Sequence, residues 1–178
     1  MSRKYKMHDP EGVYFISFAT FGWLDVLTRR EYKDIVVDSL RYCQEKKGLE
    51  LFEWVIMTNH VHLLARALPS YELAAIMRDM KKFTSGSIHK AIQDNPTESR
   101  REWMLKLLED AGRANAANAG FQLWQQNNQP LLMDTVEAFD RAADYIRDNP
   151  VKEGYVEQAE GYLYSSAHEP GLLKLSEH

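Results

Sequence analysis

The sequence predicts an α/β (α+β) fold of the ferredoxin-like split β-α-β kind, with an antiparallel sheet and an added C-terminal helix. Three observations predict it. Strand-like and helical runs alternate in the order β-α-β-β-α-β-α once a short inserted helix is set aside. The second and third strand-like runs are separated by two residues, which makes them an antiparallel hairpin. The helical runs carry apolar residues at i, i+3, i+4 and i+7, the pattern of helices that pack on one face.

Taken in order, Val13 to Phe21 is aromatic and β-branched up to Gly22, a buried strand. Thr28 and Glu31 read as a capping box, and Tyr32, Ile35, Val36, Ser39, Leu40 and Cys43 keep helical spacing up to a C-capping Gly48. Leu51 to Met57 and His60 to Leu68 form the hairpin around Thr58 and Asn59. Ser70 caps a second helix with Leu73, Ile76, Met77 and Met80 on its apolar face, ending before Asn95-Pro96. Arg100 to Arg113 makes the short inserted helix. The Ala/Asn/Gly-rich connector at 114–120 leads into a fourth strand, Phe121-Gln-Leu-Trp-Gln. Asp134 and Glu137 start the last helix, which should run to about Arg147 before Pro150 stops it.

With 178 residues and 44% hydrophobic content, the chain is expected to form one domain, 1–178, with the helical insertion at about 97–118. A formal charge of −4 excludes a generally basic coat for duplex DNA or an anionic membrane. The last third, 119–178, holds 4 basic and 10 acidic residues, so phosphate contacts must come from the first half. A lone Cys43, no apolar leader and no 18-residue apolar run make the cytoplasm the expected location and a membrane an unexpected partner.

His60-Val61-His62 is the most informative segment. Alternate residues of a strand share a face, so the two imidazoles lie about 7 Å apart at Cα, within reach of one metal ion. Two partly exposed histidines satisfy the same spacing, and His8, His89, His168 and His178 have no spacing that recruits them. On the last helix, Val136, Phe139, Ala143 and Ile146 form the apolar stripe and Tyr145 projects away from it. Asn149, four residues on, lies within about 40° of Tyr145 around the axis, so a phenol and an amide oxygen face one site if the helix persists.

These residues carry a resemblance. Asn-His60-Val-His62-Leu-Leu resembles the HUH motif (histidine, hydrophobic, histidine) of single-tyrosine transposases of the IS200-like family. Tyr145-Ile-Arg-Asp-Asn149-Pro150-Val151 resembles the Tyr-Ile-His-Asn-Asn-Pro-Val segment of the REP-associated tyrosine transposases within it. Phe121-Gln-Leu-Trp124-Gln-Gln-Asn-Asn-Gln-Pro130 and Tyr162-Leu-Tyr-Ser165-Ser166-Ala167 are similar to further stretches of that family, in the same order. Arg147 and Asp148 replace the common His and Asn, and His168-Glu-Pro-Gly leaves the pattern, departures that bear on DNA specificity more than on chemistry.

The resemblance implies that His60, His62 and Asn149 bind a divalent metal, expected to be Mg²⁺ or Mn²⁺, and that Tyr145 is the nucleophile. A free phenol, with a pKa near 10, is ionised about one part in a thousand at neutral pH, so a cation at the phosphate is needed. The implied reaction is cleavage and strand transfer through a 5′-phosphotyrosine with a free 3′-hydroxyl. The implied substrate is single-stranded or hairpin DNA, including REP-type palindromes. Arg3, Lys4, Lys6, Lys81 and Lys82 are the expected backbone contacts, with Trp54, Trp124 or Phe83 as possible stacking groups that also suit a core. A monomer or homodimer, nucleoid-associated when bound to DNA, is expected. Two other readings share these residues. One is a domesticated hairpin-DNA-binding protein without catalysis, and the other is a phosphoester hydrolase in which Tyr145 is structural.

Overall fold

The first strand forms over Tyr14–Ala19 (β1), inside the expected span. The computed structural model describes residues 7–115, 120–126 and 130–177. Helix α1 spans Arg30–Lys46, and the hairpin comprises β2 (Leu49–Ile56) and β3 (His60–Ala67). Helices α2 (Leu73–Asp94) and α3 (Arg101–Arg113) follow, then β4 (Leu131–Leu132) and α4 (Val136–Lys152). The four-stranded sheet is antiparallel in the order β2-β3-β1-β4, as expected for the fold class.

The register sorts the strand residues into two faces. Ile16 and Phe18 of β1, Val61, Leu63 and Ala65 of β3, and Trp54 and Ile56 of β2 are buried on one face. Helix α1 packs on β2 and on α2, and their buried residues join the same core. On the other face lie Phe15, Ser17 and Ala19 of β1 opposite Leu64, His62 and His60 of β3. Helix α4 covers that face, packing on β2 and β3. A β-bulge in β2 between Leu51 and Glu53 shifts the alternation by one residue. It turns Trp54 into the core and Glu53 towards α4.

As the outermost strand, β2 presents an edge that the C-terminal segment covers. Ile56 N–H donates to the Tyr164 carbonyl (2.9 Å), Ser166 N–H to Trp54 (2.9 Å) and Ser176 N–H to Leu51 (2.7 Å).

Several expected boundaries shift. The Thr28 hydroxyl donates to the Asp25 carbonyl (2.7 Å) and Glu31 accepts from Asn95, so no capping box forms and α1 starts at Arg30. Gly48, at φ 68°, does follow the helix in the left-handed conformation expected of it. Ser70 also occupies a left-handed turn (φ 75°), so α2 begins three residues later. The cap of α4 is Thr135, whose hydroxyl accepts from Ala138 N–H (3.1 Å), one position after Asp134. Residues 121–125 do not form the fourth strand. Trp124 makes an isolated bridge to Thr20, just past the end of β1, and the ladder partner of β1 is Leu131–Leu132.

The inserted helix is tied to α1 through Glu98, whose side chain is fully buried. Its carboxylate accepts from Arg100 Nε (3.0 Å) and Arg29 Nε (2.7 Å), while Arg29 also donates to the Thr97 carbonyl (2.8 Å). The hydrogen bonds from Arg100 foremost, and then that from Arg29, hold the carboxyl down at about 2. A folded-state pKa below the ordinary carboxylate value contributes stability that is present above about pH 4.5 and lost as the pH falls through 2. Glu98→Gln is therefore expected to destabilise the protein at pH 7, with the difference shrinking towards pH 2. Urea unfolding at pH 7, 4 and 2.5 checks this, and a difference independent of pH would contradict it.

Candidate active site

On β3 the buried Val61 points into the core, which sends His60 and His62 to the α4 face with ring centroids 4.8 Å apart. Small residues stand directly opposite, Ser17 across from His62 and Ala19 across from His60. The His62 ring forms a triangular cluster with Phe15, stacked at 5.3 Å, and Tyr145, edge-on at 5.2 Å, while those two rings also meet edge-on at 5.9 Å. Burial, and after it the neighbouring His60, pushes His62 down to about 3. Burial also lowers His60, against a smaller opposing effect of Asn149. Both imidazoles are neutral at pH 7, the state in which a ring nitrogen offers a lone pair.

The tautomer of His60 follows from its neighbour. Asn59 donates from Nδ2 to the Trp23 carbonyl (3.3 Å), which leaves its Oδ1 facing His60 Nδ1 at 2.7 Å. An amide oxygen only accepts, so Nδ1 carries the proton and Nε2 keeps its lone pair.

The proline did not stop the last helix. Helix α4 runs through Pro150 to Lys152, because Phe139, Ala143, Ile146, Asn149 and Pro150 are all buried beneath it and this packing outweighs the local bias. Asn149 thus keeps helical geometry and stands one turn from Tyr145. The phenol is open, with Tyr145 41% exposed, whereas Asn149 is buried. Asn149 Oδ1 and His62 Nδ1 are buried and without a hydrogen-bond partner. The Asn149 oxygen is an orphaned acceptor, expensive to bury unless something else uses its lone pair, and the unpartnered ring nitrogen of His62 carries a similar cost. Among the described residues no three His, Cys, Asp or Glu side chains converge on a common point. The amide oxygen of Asn149 is available as a third donor beside His60 and His62, a set that could hold a divalent ion.

Helix α4 is held on the sheet by two contacts flanking this site. Phe139 meets Phe52 edge-on at 5.6 Å. Arg147 forms an ion pair with the buried Glu53, which also accepts from the Ser166 hydroxyl. Lys152 sets its ammonium 5.6 Å from the Tyr145 ring centroid and 3.6 Å from Asp148. Sequence reasoning missed Phe15, Asn59, Lys152 and the Glu53–Arg147 pair. Asn59 adjoins the histidine motif and was within reach, Lys152 depends on α4 continuing past Pro150, and Phe15 and the Glu53–Arg147 pair depend on strand register.

The expected DNA contacts are more scattered. Arg3, Lys4 and Lys6 lie outside the described residues. Lys82 is exposed on α2. Lys81 is half-buried on the opposite face of the sheet from the histidines, donating to the Gln125 carbonyl (3.2 Å) 5.5 Å from the Phe18 ring, and burial lowers it to about 8. Trp54 and Trp124 belong to the core, while Phe83 is exposed.

Residues 24–105 match the family model described as Transposase IS200 like, a stretch that includes both histidines and ends before Tyr145. Among solved structures, a REP-associated tyrosine transposase bound to a REP hairpin aligns with a TM-score of 0.66 at 16% identity. The alignment covers 93% of this chain and 82% of that one, and it establishes the shared fold. A protein of Deinococcus radiodurans R1, provisionally described as a transposase, aligns with a TM-score of 0.46 at 20% identity over 83% of this chain and 97% of that one. No curated protein gives a significant match. Among the described residues, no helix is long and apolar enough to cross a membrane.

Removing the Arg147 guanidinium leaves Glu53 buried with a hydroxyl as its remaining partner. Arg147→Met is expected to lower stability by about 2 kcal/mol, toward the smaller end for a buried pair because Arg147 is half-exposed. Adding Glu53→Gln should recover part of that loss. Urea unfolding of the single and double variants measures both, and an unchanged midpoint in Arg147→Met would contradict this role.

Proposed function

We propose that this chain, with its IS200-like transposase segment at 24–105, cleaves and rejoins single-stranded DNA through a covalent 5′-phosphotyrosine on Tyr145. The observation that carries the reading is the convergence of an open phenol with two neutral imidazoles and an unpartnered buried amide oxygen on one sheet face. Hairpin DNA is the substrate class, in line with the REP hairpin held by the structurally similar transposase.

His60, His62 and Asn149 would hold a divalent ion, Mg²⁺ or Mn²⁺. When bound, it supplies Lewis-acid polarisation of the scissile phosphate and screens the charge of the transition state. Tyr145 Oη attacks phosphorus in line, giving up its proton to solvent, as the P–O3′ bond breaks and the departing 3′-oxygen is protonated. The phosphotyrosine conserves the energy of the broken ester, so a second 3′-hydroxyl can displace Tyr145 and rejoin strands without ATP. Lys152 places positive charge beside the incoming phosphate. Asn59 holds His60 in the tautomer that presents Nε2. The exposure of Tyr145 suits an unpaired strand, which bends into an open site more readily than a duplex does.

Incubating the protein with 5′- and 3′-labelled hairpins plus Mn²⁺, followed by denaturing gels, tests the reading. A covalent adduct carrying the 3′ label is expected, abolished in Tyr145→Phe and reduced at least a hundredfold, about 3 kcal/mol in barrier, in His62→Ala. Hairpin binding without any adduct would instead identify a DNA-binding protein without catalysis. Turnover of a small phosphodiester that survives Tyr145→Phe would identify a hydrolase.

A further inference from the structure

Beside the histidines stands a side chain that the chemistry above does not use. Trp23 follows Gly22 in a turn after β1, and both residues are left-handed, at φ 57° and 62°. Glycine adopts this conformation freely, whereas a bulky side chain rarely does. The turn is nevertheless firmly held. Trp23 N–H donates to the Thr20 carbonyl (3.1 Å), the Thr20 hydroxyl to the Leu24 carbonyl (2.6 Å), and Leu27 N–H to the Thr58 carbonyl (2.7 Å). The Trp23 carbonyl accepts from Asn59, the residue that orients His60.

This framework does not bury the indole. Trp23 remains 59% exposed, with its ring edge-on to His60 at 6.0 Å, whereas Trp54 and Trp124 are in the core. A strained turn that sets the largest apolar side chain in water next to the site gains nothing for folding, and its position suggests a ligand. The Asn59 amide links the backbone of the turn to His60, so the segment carrying the indole shares one hydrogen-bonding partner with the imidazole. Within the DNA-cleaving reading above, on which this inference rests, the group nearest the scissile phosphate that offers a flat apolar face is a nucleobase. Stacking on an aromatic ring is how proteins grip unpaired bases regardless of identity.

We infer that Trp23 is a stacking platform for the unpaired base flanking the scissile phosphate, aligned with the site through Asn59. Its effect falls on binding and positioning, so loss of the ring raises KM for the strand while leaving kcat little changed.

The test uses Trp23→Gly, which suits the left-handed backbone and should keep or raise Tm. In a Tyr145→Phe background, hairpins carrying 2-aminopurine at each position around the cleavage step are titrated by fluorescence. One position is expected to be quenched on binding. Trp23→Gly should remove that quenching and weaken Kd about tenfold, and Trp23→Phe should restore most of both. Affinity within twofold of the parent, or no quenched position, would overturn the platform. The adduct assay with Tyr145 intact separates the two readings. Adducts formed by Trp23→Gly with unchanged KM sink the platform alone, whereas absence of any DNA binding by the parent sinks both.

Discussion

The carboxylate of Glu53 is the point on which the arrangement of this molecule turns. It is buried in β2, faces α4 because of the bulge at residues 51–53, and is shared by Arg147 of α4 and Ser166 of the C-terminal segment. A buried charge must be partnered, and these two partners come from the two elements that close the sheet. Helix α4 is thereby seated over β3, and the C-terminal strand-like segment along the edge of β2. Had the alternation of β2 run on without the bulge, Glu53 would point into the core and Trp54 towards α4. The helix that carries Tyr145 and Asn149 would then lose its polar anchor.

The site combines rigid support with unsatisfied valence. The histidines stand on a central strand, Phe15 stacks on one and Asn59 fixes the tautomer of the other. Asn149 sits at the floor of the site and Tyr145 at its open side, one helical turn apart. Buried polar atoms with no partner, on His62 and Asn149, are the kind of unfavourable feature that folding alone does not retain. They suit a cation, and their cost is offset elsewhere by a core that extends through both layers of the fold.

Much of this was legible in the amino-acid order. The hairpin around Thr58 and Asn59, the common face of His60 and His62, and the shared side of Tyr145 and Asn149 all follow from period 2 and period 3.6. What escaped depends on tertiary context. Pro150 reads as a helix stop, yet buried packing on both sides carries α4 past it. Residues 121–125 have strand composition but meet β1 only beyond its last paired residue. The bulge in β2 leaves no sequence signal, so the Glu53–Arg147 pair could not be read, and the position of Phe15 over His62 needed the register of β1 on β3. Trp23 lies just past Gly22, where the sequence pattern ends the first strand, and its exposure beside His60 becomes visible only in the folded chain.

In the proposed mechanism His60, His62 and Asn149 form one metal-binding centre directly beside Tyr145, the proposed nucleophile. Anomalous diffraction from crystals of the Tyr145→Phe protein grown with Mn²⁺ and hairpin DNA tests it most directly. A single manganese peak is expected, bonded to both imidazoles and to the Asn149 carbonyl oxygen, with a backbone phosphate as a further ligand. A manganese ion bound elsewhere, or one that leaves Asn149 uncoordinated while the phosphate occupies the site, would contradict it.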